Sequence, residues 1–254
     1  MNKKLLQIYF MLPSAIKDFI LSINLYQQRK LRYGLFYQKY LAQYRTNFKA
    51  NEVAIKQYQL QELKKLLLEV LDASTYYKNV LTHSKVDAEI IENANTVEDI
   101  LGLIPTLPKV FLKTKNVELQ NSKRFAEYKN FTSGTSGTPN LILYDAESLQ
   151  IGFALWRRFH DWIGLPNKFT SVRLSGKILI SPQQTQPPFW VYNIFDRQLF
   201  MSSYHLTENN LPKYIQQLNE FKPQFIDAYP SAIFVIAKYI NTNKIKLNFT
   251  PIAI

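Results

Sequence analysis

The chain has 254 residues, of which 46% are hydrophobic and 14% aromatic, with a formal charge of +12. That much apolar surface excludes a disordered chain and suffices for one or two packed domains. The absence of cysteine excludes disulfides, thiolate catalysis and cysteine-ligated zinc.

The positive charge is concentrated early. Residues 1–50 hold nine Lys or Arg against one acid, Asp18. The basic residues are scattered among apolar ones and form no dense run, so nucleic-acid binding is not expected. Peripheral contact with an anionic membrane stays open. The opening "MNKKLLQIYFMLPSAIKDFI" is interrupted by Pro13 and Lys17 and carries no clean cleavage site, so it does not read as a signal peptide. No run reaches the length of a membrane span, and a cytoplasmic protein is the simplest expectation.

In chain order, residues 1–48 read as two or three short helices rich in aromatics. The clearest helix runs from Glu52 to Leu71, where Leu60, Leu63, Leu67 and Leu71 recur at three- and four-residue steps. Ser74 ends it. "TVEDILGL" predicts a short helix capped by Thr96. Pro105 and Pro108 force an extended passage. "LILY" (141–144) reads as a strand, and Asp145 as the cap of a helix that Gly164 and Pro166 stop. "KILIS" (177–181) is expected as a strand, followed by a loop and an aromatic segment from Trp190. "RQLFMSSY" is a further strand. The next helix is capped at Thr207 or Asn209, "QFIDAYP" is another strand, and "SAIFVIAKYINTN" a last helix. Strands alternating with helices predict an α/β fold with a mostly parallel sheet. Residues 1–110 form a mainly helical region packed on the same body, and 111–254 the α/β part.

One stretch carries chemistry. Thr132, Ser133, Gly134, Thr135, Ser136, Gly137 and Thr138, followed by Pro139, join close backbone approach to a row of hydroxyls. Successive backbone N–H groups in such a turn form a concave anion site. The spacing fits neither the P-loop, which needs a lysine, nor the dinucleotide fingerprint. The residues alone leave a surface loop and a phosphate loop both open. His83, His160 and His205 show no metal-ligand spacing. His160 is expected to face solvent, and Arg157 and Arg158 to meet phosphate or solvent.

The string "TSGTSGTP" resembles the signature loop of the adenylate-forming enzymes. The flanks resemble one branch, the phenylacetate–CoA ligase group and its capsule-biosynthesis relatives, the CapK-like proteins. "ELKKLLLEVLDASTYYKNVL", "LGLIPTLPK", "LWRRFHDWIGL" and "FKPQFIDAYPSAIFVIAKYI" are similar, in order, to that branch's segments. The last departs from the pattern by Ala228 in place of Gly.

The resemblance implies part of the large N-terminal domain of such an enzyme, with residues 132–138 on ATP phosphates and Mg²⁺ sharing the charge. It implies activation of an unknown carboxylic acid, with CoA, a sugar or an amine as acceptor. It places Tyr229, Pro230 and Ser231 beside the acyl pocket, with Trp190 and His205 as further pocket candidates. No metal ligand is assigned. The adenine-binding aromatic-Gly-x-[ST]-Glu motif and the C-terminal lysine domain that the family carries are not found here. The expectation is therefore an incomplete chain, inactive alone; a non-catalytic remnant or a membrane-peripheral assembly component is the alternative.

Overall fold

The computed structural model describes residues 3–47, 51–132 and 139–254. The chain divides into two compact units, 1–30 with 156–254, and 31–155.

In the unit formed by 31–155, helices Leu35–Asn47, Glu52–Ala73, Thr75–His83, Ala88–Asn93 and Val97–Leu101 lead into two single turns, Phe111–Thr114 and Asn116–Leu119. The long helix is two residues longer than its leucine periodicity predicts. Ser74 both ends it and caps the next helix, its side chain accepting from Tyr77 N. Thr96 and Asp99 form a reciprocal capping box. Leu67, Leu81, Val86, Ile91 and Ile100 make this unit's core. The polar lead before the glycine loop is itself a strand, β1 (Tyr128–Phe131). It pairs antiparallel with β2 (Leu141–Tyr144), Phe131 opposite Leu141. Asp145 caps the following helix, Ala146–Trp162, by accepting from Ser148 N at 2.7 Å.

The other unit holds a four-stranded sheet. Its strands are β3 (Ser171–Ser175), β4 (Trp190–Asn193), β5 (Gln198–Ser202) and β6 (Phe225–Ala228), in the spatial order β4-β5-β3-β6. β5, β3 and β6 are parallel and β4 is antiparallel to β5.

The strand expected at 177–181 is displaced to 171–175. Gly176 ends β3, and "KILIS" follows it as irregular chain. The cause is Arg173, a charge in the middle of the true strand. It lies in register with Asp227 on β6 and donates to it at 2.6 Å. A cross-strand ion pair of this kind makes a central position acceptable to arginine.

Strand alternation sorts the core into two layers. Val172, Leu174, Leu199, Met201 and Ile226 pack with the helices Leu211–Phe221 and Pro230–Thr242. Val191 and Phe200 point to the opposite face and pack with Leu21, Leu25 and Ile180. The helix at Leu211 starts from Asn210 without a side-chain cap, not from a Thr207 or Asn209 cap. Thr207 contributes only its carbonyl, which accepts from Leu211 N.

Leu21 and Leu25 belong to the helix Ser14–Gln27, which follows a shorter one, Lys3–Met11. The same helix also closes the outer edge of β4. Asp18 Oδ1 accepts from Tyr192 N at 2.7 Å and Ser22 Oγ accepts from Ile194 N at 3.0 Å. Four residues of helix rise about 6 Å and two of strand about 6.8 Å, so an i, i+4 pair matches an i, i+2 pair.

Candidate functional site

The glycine loop is the connection of the β1–β2 hairpin. Its neck is closed by two hydrogen bonds: Thr132 N donates to Asn140 O at 3.0 Å, and Asn140 N to Thr132 Oγ1 at 2.9 Å. Thr132 thus pins the base of the loop. Ser133, Gly134, Thr135, Ser136, Gly137 and Thr138 lie outside the described residues.

Below the neck, Arg124 anchors the hairpin within the same unit. It donates to Glu69 Oε2 at 2.7 Å, to Asp145 Oδ2 at 2.7 Å and to Glu147 Oε2 at 3.2 Å. Asn121 donates to Glu69 at 2.6 Å, and the Tyr40 hydroxyl to Glu147 at 2.7 Å. Arg124 holds the Glu69 carboxyl below its usual range. Burial pushes the Asp145 carboxyl upward, but hydrogen bonds from Ser148 and Arg124 outweigh it and leave the group ionised more easily than usual. Burial, then Glu147, raises the Tyr40 phenol. This network borders a groove of about 870 Å³ that runs along Leu66, Val70, Leu112 and Leu141. The groove has the size of a small-molecule site. Two of its cations are paired within the unit, Arg124 as above and Lys65 with Glu62.

In the other unit, the carboxyl ends of β3, β5 and β6 lie along one edge, the usual ligand edge of a parallel sheet. Tyr229 N donates to Leu174 O at 3.0 Å, and Ser203 Oγ to Ser175 O at 3.2 Å. Tyr204 Oη donates to Gly176 O at 3.0 Å. A Cβ on Gly176 would sit 3.6 Å from Tyr204 Oη and 3.8 Å from Tyr229 Oη. Two exposed phenols therefore flank this glycine, which neither composition nor spacing had singled out. Pro230 and Ser231 begin the next helix and are exposed.

His205 and Trp190 belong to the interior of that unit. His205 is buried and stacks on Phe189 at 4.8 Å, with Nδ1 2.8 Å from Ser202 Oγ. Burial lowers its pKa, partly offset by the backbone at Ser181 and Gln184. Trp190 is half-buried and meets Tyr214 edge-on at 6.0 Å.

Two expectations are corrected. Arg157 is turned into its own helix end rather than out to solvent, its side chain only 13% exposed. It donates to Leu165 O and Pro166 O at 3.0 Å each and pairs with Asp161, closing the C-terminus of its own helix. His160 does not face solvent. It is buried among Trp156, Phe169 and Phe225, at ring distances of 4.9, 5.0 and 5.2 Å. Burial, then the Arg157 cation, lowers its pKa to about 4. Among the described residues no group of three or more His, Asp or Glu could hold a metal ion. No helix among them is long and apolar enough to cross a membrane.

No family profile matches the chain. A crystal structure of 2-hydroxyisobutyryl-CoA ligase, in an open conformation with 2-HIB-AMP and CoA, has a TM-score of 0.47 at 13% identity, over 77% of this chain and 45% of that one. Protein CapK of Staphylococcus aureus is 30% identical over 185 residues. That match takes in 70% of this chain but only 41% of CapK, so the chain spans about two fifths of its relative's length. Over the matched residues the chain is thus similar to CapK, the relative towards which its ordered signature segments also point.

Proposed function

We propose that this chain supplies the phosphate-binding loop and an acid-facing sheet edge for ATP-dependent activation of a carboxylic acid. The observation that carries the reading is the position of "TSGTSGTP". It is the connection of a hairpin whose neck is tied at Thr132 and Asn140 and whose base is tied by Arg124. A loop of glycines and hydroxyls whose neck is fixed in this way can offer N–H and O–H donors to phosphate oxygens.

In the reaction, a carboxylate oxygen attacks the α-phosphorus of ATP. The bond from that phosphorus to the bridging oxygen breaks, and pyrophosphate leaves with the bond's electron pair. The product is an acyl-adenylate. Two anions must be brought together, so donors fixed beforehand are the main requirement. Residues 132–138 are assigned to the phosphates. Tyr229, Pro230 and Ser231, joined by Tyr204 and Gly176, are assigned to the acid. Trp190 and His205 support that edge from behind. Mg²⁺ would share the phosphate charge, and among the described residues no group of three or more His, Asp or Glu could hold it. Transfer of the acyl group to CoA or to a polysaccharide precursor would be a later step of the whole protein.

Calorimetric titration of the chain with ATP tests the reading, with acid-dependent ATP–pyrophosphate exchange as a second readout. ATP is expected to bind the wild type, and a Ser136→Ala, Gly137→Val double variant to bind at least tenfold more weakly. No binding by a folded wild type, or equal binding by the variant, would overturn the assignment of the loop.

A further inference from the structure

The helix Ser14–Gln27 has two apolar faces. One, with Leu21 and Leu25, is buried against Val191 and Phe200. The other carries Ile16, Phe19, Ile20, Ile23 and Tyr26, at helical steps of three and four. Phe19 is 60% exposed, and Ile16, Ile20 and Tyr26 between 42% and 52%. A helix that only covers a sheet would show polar residues on this outer face. The preceding helix adds Leu5, Ile8 and Met11, exposed by 57%, 57% and 86%. At the other end, Tyr26 meets Phe195 at 4.6 Å, and the β4–β5 turn exposes Ile194 and Phe195.

The charges around this surface have one sign. Arg29 and Lys30 follow the second helix and Arg197 follows the exposed turn, in a chain whose first fifty residues hold nine Lys or Arg against one acid. The two acids of these segments are engaged. Asp18 is turned inward onto Tyr192 N, and Asp196 pairs with Arg29 and accepts from Asn193. The two helices have 9 and 14 residues, too short to cross a bilayer but suited to lie in its interface.

We propose that the helices Lys3–Met11 and Ser14–Gln27 form a docking surface for an anionic lipid bilayer, with Phe19 and its neighbours seated among the acyl chains and the flanking basic residues against the headgroups. Charge selects lipid over a second copy of this chain. Two such surfaces facing each other would bring together like charges, whereas an anionic bilayer matches both the apolar stripe and the basic residues beside it.

The test is co-sedimentation of the intact chain with vesicles of phosphatidylcholine alone and of phosphatidylcholine with one-third phosphatidylglycerol. Binding is expected to the anionic vesicles, to fall at least tenfold in 0.5 M salt, and to be at least tenfold weaker to neutral vesicles. Phe19→Glu with Ile20→Glu is expected to abolish it, with an unchanged circular dichroism spectrum. Phe19→Trp keeps the surface apolar, and its added emission should be quenched by brominated acyl chains. Overturning results are a wild type that stays in the supernatant, a glutamate variant that binds equally, or a Phe19→Trp signal untouched by bromine. A dimer by light scattering that the glutamate variant breaks would assign the surface to a second copy and would also overturn the proposal.

Discussion

His160 shows how one side chain can set the acid tolerance of a core. Its imidazole sits in an aromatic box made by Trp156, Phe169 and Phe225. Burial lowers its pKa to about 4, with Arg157 and Arg173 adding to the effect and Asp161 and Asp227 opposing it. In the unfolded chain the ring takes a proton near pH 6.5. Between those values the unfolded state binds more protons than the folded one, so stability falls as pH drops from about 6.5 to 4. The full effect is on the order of 3 kcal/mol. Urea unfolding at pH 7 and pH 4.5 should show it. His160→Phe should flatten the difference between the two while leaving stability at pH 7 equal or higher. An unchanged slope would remove His160 as the cause. The sequence could not disclose this burial. The pair His160–Asp161 looks like a solvent-facing helix segment, and only the tertiary position of Phe225, 65 residues away, encloses the ring. Arg157 misleads for a related reason, since its partners are carbonyls of the helix end that Gly164 creates by turning the chain at φ 79°.

Among the elements, those with local causes were legible and those with distant ones were not. The long leucine helix, the Thr96 cap and the Asp145 cap follow from side chains within four residues, and all three stand in the structure. β1, β3 and β4 were missed or displaced because their support lies elsewhere in the chain. β3 tolerates Arg173 through Asp227, and β4 is completed by the helix Ser14–Gln27. The glycine loop was visible as a motif, but its hairpin was not, since the four residues of β1 have no apolar alternation. The edge closure of β4 is open to test. Ser22→Ala leaves Ile194 N–H, and Asp18→Leu leaves Tyr192 N–H, without a strong acceptor. Each should cost about 1–3 kcal/mol in urea unfolding followed by tryptophan fluorescence. The double variant should also aggregate at concentrations where the wild type stays dispersed, because its edge can pair with another chain. Unfolding midpoints equal to wild type would mean that leucine packing alone holds the helix.

The two units carry cores of different size. Twelve buried residues make the larger cluster on the sheet, against five in the helical unit, among the described residues. Buried apolar area is the main source of stability, so the unit 31–155 should unfold first. The chain allows this to be read directly, since Trp156, Trp162 and Trp190 all fall in the other unit. Far-ultraviolet dichroism should lose part of its amplitude at lower urea than tryptophan fluorescence. Coincident transitions would mean a single cooperative body instead.

The closure of β4 has a further consequence, for how the sheet can grow. With Asp18 and Ser22 occupying that margin, a new strand finds no free ladder there. The opposite margin behaves otherwise. Ala253 bridges to Phe225 in parallel, Ile226 N donates to Ala253 O at 3.1 Å, and Ile252 N to Gln224 O at 2.7 Å. The sheet is hemmed on one side and already templating on the other. Accretion of strands is thereby given a direction, and whatever joins this sheet, from a longer relative's own chain or from another molecule, is steered to the side of β6.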